Sequence, residues 1–417
     1  LSGAVVEALV AAVEPRVVEW RRDIHRHPEL GNREVRTAAK VAEHLRALGI
    51  EVETEVAHTG VVGLLRGGRP GPVVALRADM DALPVTERVD VPFASRATAE
   101  YNGETVGVMH ACGHDAHVAI LMGVAEVLAA LRDELPGTVK FVFQPAEEGP
   151  PEGEEGGAEL MVAEGVLADP AVDAVFGLHM AADRDVGTIW TRPGGLMASA
   201  DDFRIVVHGK QTHGSRPWAG VDPIVASALI VNGLQTIVSR QMELTENPAV
   251  VTVGKIEGGV RSNIIPERVE MVGTVRALDE AMREKIHRRV REVATTIAAS
   301  MGATAEVTIP LTTAYPVTAN DPALLARMTP SLEAAAGAGN VRTMNPITGA
   351  EDFSFYAREV PGLFFFLGGK PLDVPAAEAA PHHTPDFFLD ESGFGLGVRA
   401  LVRLTLDYLE GETAAGT

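Results

Sequence analysis

The stretch Met109-His110-Ala111-Cys112-Gly113-His114-Asp115-Ala116-His117 holds three of the chain's 13 histidines and its only cysteine. Imidazole and thiolate are favoured ligands of zinc and related divalent metals. Cys112 and His114 stand two residues apart, so an extended loop can turn both side chains inward. A buried thiol beside surface histidines is the plainer reading of a lone cysteine, but the clustering favours metal. Glu147 and Glu148 follow the apolar run Val139–Phe143, and Pro145 stiffens the backbone at its end. One carboxylate could bind metal while its neighbour, aimed slightly away, takes a proton from water. The acidic run behind them, Glu152, Glu154 and Glu155, reads as a solvated loop. Asp79 and Asp81 follow the run Val73–Arg77, His179 follows Ala174–Leu178, and His382 and His383 lie far downstream. Each alone is an ordinary cap or surface group; together they suit one metal site. Further along, Gly209–Gly214 forms a tight loop presenting His213, Asn263 precedes a strand and Arg276 ends it. These three supply donors for an oxyanion or a carboxylate, although by composition alone they are ordinary turn and edge residues.

The elements that would position these groups are readable from periodicity. The opening segment is helical, and a second helix runs from Asn32 to Leu48. Asn32 is its expected N-cap, Val35, Ala38, Val41, Ala42, Leu45 and Leu48 its apolar stripe, and Gly49 its stop. Strands are expected at Ile50–Val56, Val61–Arg66 and Val73–Arg77, with Gly67-Gly68 turning between the last two. A Gly- and His-rich loop, 107–117, feeds a helix at about 117–132. Apolar strands separated by helices give the expected fold class, an α/β, mostly parallel, doubly wound domain with helices on both sheet faces. Ligands collect at the carboxyl ends of strands in such sheets, and the candidate residues sit there. From about residue 191 the order changes to βαββαβ: strand 203–207, helix 222–241, strands 249–256 and 268–275, helix 279–301, strand 304–309. That is the ferredoxin-like α+β pattern. The expected organisation is a catalytic domain over 1–190, an inserted domain over 191–309, and the rest of the catalytic domain over 310–417.

The 417-residue chain is 46% hydrophobic and 22% charged, an ordinary globular composition that excludes disorder over most of its length. Its formal net charge of −21 repels phosphate backbones and anionic lipid headgroups, so no nucleic-acid and no membrane partner is expected. An anionic substrate would need a fixed cation at its site. A single cysteine allows no intrachain disulfide. No apolar run approaches the ~18 residues of a membrane span; the best, Ala119–Leu131, is broken by Glu126. No signal peptide is visible, and a cytoplasmic location is expected. The start at Leu1 rather than Met leaves an exported form with a removed leader open.

Nine stretches in order along the chain resemble one family of metal-dependent amidohydrolases and peptidases. It includes hippurate hydrolase, aminoacylase, carboxypeptidase G and plant indole-acetyl-amino-acid hydrolases, and the hippurate hydrolase branch is nearest. The stretches are His25–Thr37, Arg77–Pro84, His110–His117, Gln144–Gly149, Gly177–His179, Gly209–Gly214, Ser262–Pro266, Gly349–Phe353 and His383–Pro385. The resemblance implies a two-metal site built from Cys112, His114, Glu148, His179 and His383. Cys112 would take the bridging place that an Asp holds in other branches. Glu147 would be the general base, and Asp81 would orient a ligand. Asp79 stands where other branches carry a metal-binding His, and the motif selects His383 over His382. The inserted domain is similar to the family's lid and dimerisation domain. There His213 would reach a partner subunit's active site, and Asn263 and Arg276 would hold substrate, making a homodimer or tetramer the expected assembly. The acidic stretch Pro150–Gly156 departs from the family pattern.

The activity implied is hydrolysis of the amide bond of an N-acyl amino acid by a metal-activated water, with Glu147 as base and His213 assisting. Arg276 would supply the cation that a substrate carboxylate needs. Two divalent ions are implied; thiolate and imidazoles suit zinc, and carboxylates admit manganese, cobalt or nickel. A dipeptidase or carboxypeptidase acting on a short peptide at the same site is the rival enzyme. A degenerate, non-catalytic binding protein is the rival from another class.

Overall fold

The computed structural model describes residues 3–312 and 314–415. Two compact units emerge. The first comprises residues up to Gly194, 319–344 and those from Phe355 onward; the second comprises Gly195–Thr318 and Asn345–Ser354. The stretch 345–354 therefore joins the second unit, where the sequence reading placed it with the catalytic domain.

The first unit is built on an eight-stranded sheet. Its order is Glu51–Val56, Gly60–Arg66, Pro136–Gln144, Arg69–Asp79, Ala174–Asp185, Gly362–Lys370, Ile189–Thr191 and Val341–Thr343. The four central strands pair in parallel. The edge beginning at Glu51 is antiparallel, as is the pairing of Gly362–Lys370 with Ile189–Thr191. Arg69–Asp79 does not pair with Gly60–Arg66; Pro136–Gln144 lies between them. The chain turns at Gly67, where a Cβ would lie 2.3 Å from the Leu135 carbonyl oxygen, so only glycine tolerates that backbone approach.

Alternation along these strands sorts the chemistry. Val74, Leu76 and Ala78, Val139, Phe141 and Phe143, and Phe176, Leu178 and Met180 all enter one apolar core. That core is shared with helices Gly3–Arg26, Val35–Ala47, His114–Ala130, Pro322–Ala336 and Phe394–Ala415. Successive side chains on a strand point to opposite faces. The intervening residues Arg77, Asp79, Lys140, Gln144 and His179, all buried, therefore share the other face. The five long helices thus join a single apolar core; on the polar face the cover includes Met161 and Tyr356, whose hydroxyl donates to Gln144 Oε1 at 3.0 Å. The helix His114–Ala130 is buried on nearly every side, and Gly123 lets Val17 and Val398 pack against its backbone.

Three local expectations are corrected. Asn32 is not an N-cap. It adopts a left-handed conformation (φ 58°) and its amide donates to Glu154 and to the Glu155 carbonyl, while the helix begins at Val35 behind Glu34. Val35 is 67% exposed and leaves the apolar stripe, because the helix starts there and its first turn faces solvent. The buried helix begins at His114 rather than 117, since Gly113 (φ 93°) reverses the chain just before it.

The second unit has an antiparallel four-stranded sheet ordered Ala249–Gly258, Arg268–Ala277, Asp201–His208, Thr304–Thr308. With helices Pro223–Gln241 and Glu280–Ser300 it has the split βαβ arrangement. Asp222 and Asp279 cap the two helices, accepting from Ile224 N–H at 2.9 Å and Met282 N–H at 2.8 Å. Phe203, Ile205, Ile230, Leu234, Met271 and Val290 are among its core residues.

Candidate active site

Three parallel strands, the start of one helix and a late loop converge in the first unit. Cys112 Sγ lies 3.4 Å from His179 Nε2, 3.3 Å from His383 Nε2 and 3.6 Å from His382 Nδ1. His383 Nε2 lies 2.9 Å from Glu148 Oε1. His114 Nε2 faces Glu147 Oε2 at 3.8 Å and Glu148 Oε1 at 4.0 Å. Cys112, His114 and His179 present donor atoms within 4.8 Å of one another, and so do Cys112, Glu148 and His383. Cys112 belongs to both triads. The five residues named as a metal set, with Glu147 beside them, thus meet in one place.

Hydrogen bonding sets the tautomers. His179 Nδ1 lies 2.7 Å from the Met180 carbonyl oxygen, so Nδ1–H donates there and the Nε2 lone pair faces the thiol. His114 Nδ1 lies 3.2 Å from Asp81 Oδ1, which likewise turns Nε2 inward. That inward Nε2 is buried and has no hydrogen-bond partner among the described residues. A buried nitrogen without a partner is costly, and here it points at carboxylates and a thiol, a donor set suited to a divalent cation. The other Asp81 oxygen accepts from Glu148 N–H at 2.9 Å, so one carboxylate orients both His114 and Glu148.

The electrostatics agree with that fit. Burial alone would lower the His114 pKa; the carboxylates of Asp79 and Asp81 overcome it and raise it to about 10. The site is therefore one of strongly negative potential. Burial, and after it Glu148 and Glu147, push the Cys112 thiol well above its ordinary range. A cation would reverse this, since a coordinated thiol ionises. His383 is raised by its hydrogen bond to Glu148.

Other residues take supporting positions. Asp79 Oδ2 lies 3.6 Å from His114 Nε2. Against the effect of burial, the Arg77 guanidinium at 2.8 Å holds its carboxyl well below the usual range, and His117 Nδ1 lies 2.5 Å from its other oxygen. His117 Nε2 accepts from Met180 N–H at 2.8 Å, so both its ring nitrogens are used; burial lowers its pKa to about 4. His382 Nε2 accepts from Ala182 N–H at 3.2 Å, leaving Nδ1–H to face the thiol as a donor. His179 was expected past a strand end; it lies within Ala174–Asp185, because that strand continues pairing with Gly362–Lys370.

Sequence reasoning assigned no role to Glu34, although it lies in the His25–Thr37 stretch. It is fully buried, accepts from Ala146 N–H at 2.9 Å, and so pins the left-handed turn (φ 52°) ahead of Glu147. Burial, and then the Asp81 carboxylate, raise its pKa to about 8. The trailing acidic run is not merely solvated: Glu154 pairs with Arg33 at 2.5 Å and accepts from Asn32 at 3.0 Å.

His213, Asn263 and Arg276 belong to the second unit. His213 lies in the short strand Thr212–His213 paired with Ile264–Ile265, and Gly214 N–H donates to the Asn263 carbonyl at 2.8 Å, so His213 and Asn263 share one corner. Both are exposed. Arg276 sits near the end of Arg268–Ala277, opposite Val250.

Fold and site together define a hydrolase acting on amide or peptide bonds. Residues 75–407 match peptidase family M20/M25/M40, and the chain belongs to that family. It is 42% identical over 400 residues to thermostable carboxypeptidase 2 of Saccharolobus solfataricus, covering 96% of this chain and 97% of that one. It is 39% identical over 403 residues to N-acetylcysteine deacetylase of Bacillus subtilis, covering 96% and 98%. Among solved structures it superposes on the Bacillus subtilis YXEP protein, a dinuclear metal binding peptidase of the M20 family. The TM-score is 0.80 and the identity 36%, over 96% of this chain and 99% of that one. Among the described residues, no helix is long and apolar enough to cross a membrane.

Proposed function

We propose that the protein hydrolyses the amide bond of N-acyl amino acids, with two divalent cations held by Cys112, His114, Glu148, His179 and His383. The observation that carries this reading is the pair of donor triads sharing Cys112, with the unpartnered His114 Nε2 between the carboxylates. When bound, the cations supply Lewis-acid polarisation of the carbonyl and acidify water. Glu147 accepts the proton of the attacking water at its carboxylate and returns it to the leaving amine nitrogen. Asp81 holds His114 and Glu148 in register through its two oxygens. His213, from the second unit of a partner subunit in a homodimer or tetramer, donates to the developing oxyanion, and Asn263 and Arg276 hold the substrate's carboxylate end.

The test is Glu147→Gln. Metal content, read by plasma emission spectroscopy, stays at the parent's level, and turnover of an N-acetyl or N-benzoyl amino acid falls at least ~100-fold. Near-parental turnover would remove Glu147 from the role. Arg276→Ala raises KM chiefly for substrates with a free carboxylate; equal losses on carboxylate-free amides would contradict that assignment. The relative named as a carboxypeptidase supports a second reading, cleavage of short peptides at the same site. A panel of N-acetyl, N-benzoyl, indoleacetyl and dipeptide substrates separates the two.

A further inference from the structure

A cleft of about 380 Å3 opens beside Glu148 and Asp81, within the first unit. Its volume falls in the range of small-molecule sites, about 300–1,000 Å3. Leu30, Leu83, Pro84 and Pro150 line it with apolar surface. Tyr101 and Asn102 close one side from the tip of the hairpin Thr98–Tyr101/Glu104–Gly107, which no periodicity in the sequence announces. Glu100 and Glu152, both exposed, also line it. Neither is ion-paired with a Lys or Arg among the described residues. Glu100 accepts the Thr105 hydroxyl. Among the described residues Arg33 is the one cation on the lining, and its guanidinium is turned to Glu154.

Because the cleft opens beside Glu148, a substrate whose amide lies at Glu147 and Glu148 can extend one of its two ends into it. One end carries the amino acid's carboxylate. Apart from Asp81 and Glu148, whose charge the cations offset, the lining holds Glu100 and Glu152 against a single neutralised Arg33, and these two glutamates repel a carboxylate. The acyl end has no such charge, and the apolar walls suit it. Resting on the amide-hydrolase reading above, we propose that this cleft is the acyl subsite. Its acidic rim selects extended neutral or cationic acyl groups and rejects anionic ones.

The experiment uses the metal-loaded enzyme and four acyl derivatives of alanine: N-acetyl, N-benzoyl, N-succinyl and N-(6-aminohexanoyl). Hydrolysis of the N-acetyl compound, whose acyl group is short and uncharged, reports on the hydrolase reading by itself. In kcat/KM, the succinyl compound is expected at least about tenfold below the aminohexanoyl compound. Combining Glu100→Lys with Glu152→Lys shifts the aminohexanoyl-to-succinyl ratio at least about tenfold towards succinyl, and Glu152→Gln shifts it part of the way. Calorimetric titration of the same compounds into Glu147→Gln reads the charge preference without turnover. It therefore tests the subsite even if the hydrolase reading fails. A parent enzyme that binds and cleaves the succinyl compound as well as the aminohexanoyl one overturns the proposal. So does a charge-reversed variant with an unchanged ratio.

Discussion

The sheet of the second unit buries Asp201, and Arg283 donates to both its oxygens at 2.7 and 2.8 Å, with His287 3.2 Å away. The sheet of the first unit and the loops at its strand ends bury Asp79, Asp81, His114, His117, Glu147 and His179 together. There the pairing is incomplete, with a buried His114 nitrogen unpartnered and a buried thiol facing carboxylates. Buried charge is expensive unless paired. In the second unit the cost is offset by a guanidinium and the residue has a structural part. In the first, the residual imbalance is negative, and on the function proposed above bound cations resolve it.

The sharpest way to break this contrast is Cys112→Ala. The thiol belongs to both triads, so its loss removes a donor from each. Under the two-cation reading, bound metal falls and kcat/KM drops by at least ~1,000-fold, the equivalent of several kcal/mol of transition-state stabilisation. Metal analysis and steady-state kinetics check it. A variant that keeps two ions and most of its activity would place the cations elsewhere.

The converse substitution is Arg283→Met. It leaves Asp201 buried without its main partner and is expected to cost about 3–5 kcal/mol of stability, measured by urea denaturation, with metal content unchanged. The effect depends on pH. Against burial, His287 and Arg283 lower the Asp201 pKa below its ordinary value near 3.8. A depressed carboxylate contributes stability above its unfolded pKa and loses it as pH falls through the folded one. In the variant, protonation relieves the unpaired charge instead. The difference between parent and variant therefore narrows as pH falls below about 4. A constant difference down to pH 3 would mean that the ion pair contributes little.

The same contrast explains what could be read from the chain alone. Alternating apolar positions such as Val139, Phe141 and Phe143 mark a strand whatever surrounds it, and Asp222 and Asp279 cap their helices through neighbours two or three residues away. The convergence of Cys112, His114, Glu148, His179 and His383 was legible because thiol, imidazole and carboxylate in the family's order have few other uses. What escaped depends on partners distant in sequence. Asn32 looks like a cap until Glu154 and Glu155 arrive to hold it elsewhere. Asp79 looks like a ligand-type residue until Arg77 and His117 claim both its oxygens. Glu34 has no local signature, since its partner is the backbone of Ala146. The Asn102-Gly103 turn was a hairpin signal, but the flanking Thr98–Tyr101 has no apolar face to accompany it.

A smaller effect sharpens the picture of the helix Pro223–Gln241 as scaffold. Asp222→Ala removes the cap of Pro223–Gln241 and is expected to cost about 1 kcal/mol, read as a shift in denaturation midpoint, with kcat/KM unaffected. A large kinetic effect would show that this helix does more than support its sheet.

The smallest expected effect is at Glu154, where the sequence reading saw only solvated loop. Its pairing with Arg33 is exposed, and exposed ion pairs contribute about 0.2–1 kcal/mol, so Glu154→Ala should barely move the denaturation midpoint, and less at high salt. Its consequence lies in the cleft. With Glu154 gone, Arg33 loses its ion-pair partner, and its charge can turn to the cleft that it lines. Discrimination against the succinyl compound should then weaken by a few-fold, less than on reversing the two rim glutamates. Stability and selectivity thus part company at this residue. A large loss of stability with unchanged selectivity would make the pair a structural latch, and the acidic loop would have no hand in choosing substrates.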